Sequence, residues 1–381
     1  MTAPSVELGT IASVERKSVK PDEIRGHASY VGLENITGDG TFVEVAPACE
    51  TDIKSNKFVF SSEHILYGKL RPYLSKIAAP QFGGVCSTDI VPIRPGPDID
   101  RRYLLHVLRT PVMVGHATRL AVGANLPRLS PKSLETFPIP LPPIEEQRRI
   151  AAILDAADEL RVKRRHGLRL VRDLENSMFA DFVESHASVA TAPLAEVAER
   201  VTVGHVGPTS EHFVEDGVPF IRTGNIGDGT ITRDELRYVD PSFHATLAKS
   251  TLREGDLLIS RVISDEIRAA VVPRDLDGAN CANAIIVRPG QRTSATFLLG
   301  LLRLARSQTS LLGRRVGSAQ SVVNTKVVKE WQVPVPSRSA LEALDHSFHR
   351  LRSLQALHHE SLESLTTFFA SLQQRAFRGE L

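Results

Sequence analysis

Asp22, Asp52 and Lys54 come nearest to a catalytic set in this chain. An acid, a second acid and a lysine, here in Pro21-Asp22 and Asp52-Ile-Lys54, can surround a divalent metal that activates water, as in a small metal-dependent nuclease. The pattern is short and degenerate, and chance matches to it are common. Nothing else in the sequence supports it. There is no Gly-x-Gly-x-x-Gly and no Walker loop, so phosphate or ribose would have no cradle. An Asn-Pro-Pro-Tyr phrase of the kind an amino-methyltransferase needs is missing as well. No His-x-x-x-His or Cys-x-x-Cys spacing marks a metal site, and the adjacent His358 and His359 would point to different faces of a helix. Serine and cysteine nucleophiles lack recognisable neighbours. The chain therefore reads as one that performs no chemistry and binds no metal or cofactor of its own.

The elements that would hold any site are laid out twice. Phe137-Pro-Ile-Pro-Leu-Pro-Pro-Ile-Glu-Glu-Gln-Arg-Arg-Ile-Ala-Ala-Ile-Leu154 runs into a long helical pattern, and Trp331-Gln-Val-Pro-Val-Pro336 does the same further on. A block of about 140 strand-rich residues precedes each. Ordered matches support a true internal repeat. Tyr30-Val-Gly-Leu-Glu-Asn-Ile36 with Gly38-Asp-Gly-Thr41 parallels Phe220-Ile-Arg-Thr-Gly-Asn-Ile226 with Gly227-Asp-Gly-Thr230. Cys86 and Ile93-Arg-Pro-Gly96 parallel Cys281 and Val287-Arg-Pro-Gly290, while Gly123, Lys132 and Pro140 parallel Gly317, Lys326 and Pro334.

Composition bounds the class. A chain of 381 residues suggests two or three domains, and 42% hydrophobic with 24% charged residues is ordinary for a globular protein. No apolar run approaches the ~20 residues of a membrane span, and the N-terminus lacks the form of a signal peptide. Cys49, Cys86 and Cys281 suit a reducing, cytoplasmic setting better than a disulfide framework. A net charge of +2 means that any polyanion surface must come from local clustering.

Both linking segments read as helices. Pro142 and Pro143 fit a helix start, and Glu145 and Glu146 complement its dipole. Ile150, Leu154, Ala157, Leu168, Val171, Met178 and Phe182 then recur at three- and four-residue steps. In the second helix Ser339 and Glu342 fit a capping box. Leu341, Leu344, Phe348, Leu351, Leu362, Leu365, Phe369 and Leu372 form its seam. At about 40 residues each helix would be ~60 Å long, and the two seams are expected to pack on each other. The blocks read as α/β mixtures. Strands are expected at 41–45, 57–60, 74–79 and 85–93, and helices at 100–109, after the Thr110-Pro111 and Ser130-Pro131 caps, at about 296–312, and after Asn324.

Ile139-Pro-Leu-Pro-Pro-Ile-Glu-Glu-Gln-Arg-Arg-Ile150, leading into a long helix in mid-chain, resembles the central segment of type I restriction–modification specificity subunits. Ser371-Leu-Gln-Gln-Arg-Ala-Phe-Arg-Gly-Glu-Leu381 resembles the way such subunits end. The resemblance covers essentially the whole chain. It implies two α/β (α+β) target-recognition domains, residues 1–141 and 187–336, separated by helices at 142–186 and 337–381 that form an antiparallel coiled-coil spacer. It further implies that each domain reads one half of a split site on double-stranded DNA and that the chain assembles with two methyltransferase subunits and with restriction/translocase subunits. S-adenosylmethionine, ATP and Mg would be bound by those partners. Pro142, Pro143, Glu145, Glu146 and Gln147 become a candidate partner-docking phrase. The second copy departs from it, with Val335-Pro-Ser-Arg in its place, so two docking sites would not be equivalent.

DNA binding needs Lys and Arg for phosphates and Arg, Lys, Asn or Gln for base edges. In the first block, Tyr67-Gly-Lys69-Leu-Arg71-Pro-Tyr73 interleaves cations with aromatics, and a following loop adds Arg119, Asn125, Arg128 and Lys132. The corresponding places in the second block hold Arg261, Arg314, Arg315, Gln320, Asn324 and Lys326, and Arg222 and Asn225 occupy the repeated Asn-Ile element. Lys163-Arg164-Arg165 reads as a solvated helix face. Two other readings stand beside this one: a protein-binding coiled-coil adaptor, which would show no salt-dependent DNA affinity, and the nuclease, which would cut DNA with Mg²⁺.

Overall fold

A computed structural model of the chain describes residues 4–262, 267–304, 307, 311 and 323–381. They form two compact units. The first takes the chain up to His166 together with His359–Leu381, and the second takes Gly167–His358. Each unit holds one α/β block and half of each long helix, the central helix being Ile144–Ser185 and the C-terminal helix Arg338–Arg378.

In the first unit the block begins and ends on one ribbon, with Ser5–Glu7 antiparallel to Pro138–Pro140 and Val6 opposite Ile139. Prolines fit here because a two-stranded ribbon leaves edge positions that need no N–H. An antiparallel sheet follows in the order Ala12–Val14, Ile90–Pro95, Ile65–Gly68, Ile77–Ala78. A five-stranded sheet carries one parallel pair, Ser29–Val31 with Gly84–Cys86.

The second unit repeats this plan. Thr191–Pro193 pairs with Gln332–Pro334, and Ala198–Val203, Ala284–Pro289, Leu257–Ser260 and Ala269–Val271 form a sheet of the same order. The parallel pair is Val218–Ile221 with Asn280–Cys281. The Cys86–Cys281 match is thus spatial. Val31 faces Cys86 and Ile221 faces Cys281, and burial pushes both thiols up to about 12, which leaves them inert.

Asn35 and Asn225 explain the repeated Asn-Ile phrase. The Asn35 carboxamide accepts from the Gly32 N–H at 2.8 Å and donates to the carbonyls of Val43 and Glu44 at 3.1 and 3.0 Å. Asn225 accepts from the Arg222 N–H at 3.0 Å and donates to the Asp234 carbonyl at 3.0 Å. Each cross-links the start and return of a loop. Downstream, Gly40 (φ +76°) and Gly229 (φ +81°) adopt a left-handed backbone, and a Cβ on Gly40 would lie 2.4 Å from the Ile77 carbonyl.

The long helices are antiparallel within each unit. In the first, Arg149 reaches the Leu381 carbonyl at 2.7 Å, and the Arg161 guanidinium lies 4.4 Å over the Phe369 ring. In the second, Glu175 accepts from Gln355 at 3.2 Å, and the Phe179 and Phe348 rings meet at 6.3 Å. The seams do not face only each other. Ile150, Leu154 and Ala376 belong to the core of the first block, and Phe179, Leu344 and Phe348 to that of the second.

The caps at Thr110, Ser130 and Asn324 form as expected, with each side chain accepting a backbone N–H. The cap of the C-terminal helix does not. Ser337, rather than Ser339, accepts from the Ala340 N–H at 3.2 Å, because the helix starts at Arg338, and Glu342 instead pairs with Arg338. The strand expected at 41–45 is a loop. The run at 85–93 divides into Gly84–Cys86 and Ile90–Pro95, with a turn at Ser87 accepting the Ile90 N–H. The helix begun at Ala295 closes at Arg303. No helix among the described residues is long and apolar enough to cross a membrane.

Candidate nucleic-acid interface

In the first unit the two basic clusters of the sequence lie on adjoining backbone. Strand Ile65–Gly68 ends at Lys69, whose carbonyl accepts the Leu129 N–H at 2.9 Å, and the Arg71 N–H donates to the Pro127 carbonyl at 2.7 Å. Val122 and Arg128 exchange two backbone hydrogen bonds, which closes the loop between them. Leu129 then leads to Ser130, the cap of helix Pro131–Glu135. Arg71, Tyr73, Arg119, Asn125, Arg128 and Lys132 are exposed and Lys69 is half-buried. Tyr67 is not available: it lies in the core, 1% exposed, so Tyr73 is the aromatic that this cluster offers. Arg128 is paired with Asp89 at 3.1 Å, and that hydrogen bond raises its pKa.

The second unit repeats the same junction. Strand Leu257–Ser260 ends at Arg261, whose carbonyl accepts the Val323 N–H at 3.0 Å, just before Asn324 caps helix Thr325–Lys329. Arg261 therefore stands where Lys69 stands, and Asn324 and Lys326 stand where Ser130 and Lys132 do. Asn324 spends its carboxamide oxygen on the Lys326 N–H at 2.9 Å, and Lys326 lies 3.8 Å from Glu330. Arg222 is half-buried and donates to the Glu235 carbonyl at 2.9 Å. Asn225 offers no free edge for a base: it is 2% exposed and committed to its loop, which corrects the expectation for it. Arg314, Arg315 and Gln320 lie outside the described residues, as does Gly317.

The phrase at the start of the central helix separates into two parts. Pro143 and Glu145 are exposed, Pro142 and Glu146 half-buried, and Glu146 pairs with Arg149 at 2.7 Å. Gln147 is different. It is 1% exposed, accepts from the Asp100 N–H at 2.8 Å, and donates to the carbonyls of Asp98 and Pro142 at 3.0 and 2.9 Å. Gln147 thus clamps the helix start to the block and has nothing left for a partner.

In each unit a loop acid and an arginine also meet the long helices. Arg109 lies 3.7 Å from Asp158 of the central helix, and Asp39 pairs with Arg165. Burial alone would raise the Asp39 carboxyl, but the Thr37 hydroxyl and the Arg165 guanidinium hold it below its usual value. In the second unit Arg303 pairs with Asp228 at 2.8 Å and with Glu175 at 3.3 Å. These contacts carry no local sequence signal, because in each unit their members come from three separate segments. The nuclease pattern finds no such support. Lys54 pairs with Asp52 at the surface, and among the described residues no three His, Cys, Asp or Glu side chains could hold a metal ion.

Residues 25–168 match the type I restriction modification DNA specificity domain. The chain is 32% identical over 158 residues to the type I restriction enzyme EcoDI specificity subunit of Escherichia coli, covering 40% of this chain and 35% of that one. It is 22% identical over 318 residues to the EcoBI specificity subunit of the same species, covering 74% and 66%. The chain is thus similar to type I restriction–modification specificity subunits, and its residues 25–168 carry their DNA specificity domain. The fold agrees. The crystal structure of a type I restriction–modification S subunit from M. genitalium superposes with a TM-score of 0.62 at 14% identity, covering 98% of this chain and 95% of that one. A chain from a study of the assembly and conformational transition of the type I system superposes with a TM-score of 0.52 at 20% identity, covering 100% and 98%. In its sequence matches to these two curated family members, the chain spans about one third of the first and two thirds of the second.

Proposed function

We infer that this chain is the DNA-specificity subunit of a type I restriction–modification complex, each unit reading one half of a split target. The observation that carries the reading is the duplicated junction: Lys69 with Leu129 in one unit, Arg261 with Val323 in the other. Each places a cation at a strand end beside a capped loop that leads back to a long helix. A single binding surface has no use for two copies; a bipartite duplex does, because each half-site needs its own reader. Methylation and cleavage, with S-adenosylmethionine, ATP and Mg, are assigned to methyltransferase subunits, two per chain, and to restriction/translocase subunits. The docking role falls to Pro142, Pro143, Glu145 and Glu146. The paired long helices act as the spacer.

Co-expression with a type I methyltransferase subunit, followed by mapping of methylated bases across the genome, tests the reading. The expected result is a motif of two short specified halves around an unspecified gap. A continuous motif, or methylation that does not depend on this chain, would overturn it.

A further inference from the structure

The loop between Val122 and Arg128 exposes apolar side chains on a backbone that is already fixed. Its base is tied by two hydrogen bonds between Val122 and Arg128, at 3.0 and 2.9 Å, and its return limb by the Arg71 N–H on the Pro127 carbonyl at 2.7 Å. Gly123 takes a left-handed φ of +118°, and a Cβ there would meet the Leu126 carbonyl at 3.0 Å, so the turn is tight as well as anchored. Within it Ala124 and Asn125 are small, and Leu126 is 46% exposed. Val122 is more exposed still but sits at the paired base of the loop, not at its tip. Tyr73 stands exposed on the neighbouring turn.

What surrounds the tip decides what covers it. Arg71, Arg119 and Lys132 lie on the adjoining segments, and the Asp89 carboxylate is already paired with Arg128. A cationic rim around an apolar tip complements a polyanion whose interior is a stack of apolar rings. Leucine is among the side chains that enter a base step and unstack it.

We propose that Leu126 is a wedge that enters one base step of duplex DNA within the half-site bound by the first unit. Asn125 lies beside it, where its carboxamide meets the base edges that the opened step exposes. The proposal rests on the specificity reading above and adds to it a deformation of the target. Sequences whose steps unstack at low cost are then selected at a position no side chain need hydrogen-bond.

The test uses the full chain assembled with its methyltransferase partner and duplexes carrying the mapped motif. 2-Aminopurine is placed in turn at each position of the half-site that persists when residues 187–335 are exchanged. Wild type should raise its fluorescence severalfold at one step distinct from the methylated base, which the methyltransferase itself takes out of the stack. Leu126→Ala should lose that rise, keep the signal at the methylated base and bind the duplex more weakly, whereas Leu126→Met should retain the rise. Leu126→Ala should also melt at the wild-type temperature, so a lost rise in a folded protein reports the wedge. An equal rise with Leu126→Ala, or a rise only at the methylated base, would overturn the wedge and leave the specificity reading intact. Failure of the wild-type complex to bind any duplex carrying the motif would overturn both.

Discussion

Arg119 and Arg128 belong to the same proposed interface, but the structure separates what their loss should do. Arg119 is exposed at the end of helix Pro111–Leu120 and makes no ion pair among the described residues. Arg119→Ala should relax or weaken recognition at one half-site, by about 1–3 kcal/mol if the arginine makes a bidentate base contact. Arg128→Ala also releases the Asp89 carboxylate toward DNA, so it should cost more than the double variant Arg128→Ala/Asp89→Ala. Equal affinities for the two would show that Asp89 does not face the duplex. Asn324 has two duties. Asn324→Asp keeps the cap and should fold as wild type while impairing the other half-site, whereas Asn324→Ala also loses about 1 kcal/mol of helix capping. Wild-type methylation by Asn324→Asp would remove Asn324 from the interface. Gln147 marks the limit of reading a residue from its neighbours in sequence. Its polar, proline-flanked phrase pointed outward to a partner, yet its partners are Asp98 and Asp100, brought close only by folding. Gln147→Ala leaves three part-buried backbone groups without their bonds, each costing at most about 1–3 kcal/mol before water reaches it. Amide exchange at Asp100 should accelerate. Unchanged protection there would deny the clamp.

At the scale of elements, the long helices and the short-helix caps at Thr110 and Ser130 were legible because three- and four-residue periodicity and Ser/Thr-Pro pairs are local signals, whereas the cap of the C-terminal helix fell at Ser337 and not at Ser339. The strands were less so. Pieces of two to four residues, such as Ile77–Ala78, carry too few positions to alternate, and a turn breaks the run at 85–93. The charged contacts of the long helices were invisible, and they differ between the units in a way that has a pH signature. Asp39 and Asp155 of the first unit are held below the usual carboxylate value. Burial opposes this, but is outweighed for Asp39 by Thr37 and Arg165, and for Asp155 by His106 and Arg102. A carboxyl depressed in the folded state stabilises above its unfolded value, about 3.9, and that contribution is lost as pH falls toward the folded value. Asp345 of the second unit is raised by burial, so its contribution has the opposite sign, being present below about 3.9 and lost as pH rises through the folded value. Acidification should therefore release the helix contacts of the first unit before those of the second. Amide exchange on either side of His166 as pH is lowered checks the order, and Asp39→Asn should blunt it. Release of the second unit first would show that other groups dominate.

For the whole molecule, the duplicated blocks predict modularity. Exchanging residues 187–335 for the same block of a relative should change one half of the methylated motif and leave the other. A change in both halves would refute independent reading. The antiparallel helices predict a ruler. Adding one heptad to both, at matched levels, preserves their register and adds ~10 Å, so the unspecified gap should grow by about three base pairs. An unchanged gap in an assembled complex would show that the coil does not set it. The repeat itself was readable from Cys86 and Cys281, from the paired Asn-Ile phrases and from Arg-Pro-Gly, because buried or turn-forming positions resist change more than interfaces do. The two-stranded ribbons have a further consequence. Because Ala192 lies opposite Val333, the second block leaves and rejoins the scaffold through strands only one ladder apart, and the first block likewise opens beside its own exit, with Val6 opposite Ile139. The chain between those strands is a closed loop as far as the helices are concerned, and its length enters their stability only through a logarithm. Such a plug can be lost to recombination and replaced by one of another size, with the ribbon as the only joint that has to fit. A host could then acquire a new DNA target in a single genetic event, without rebuilding the assembly that acts on it.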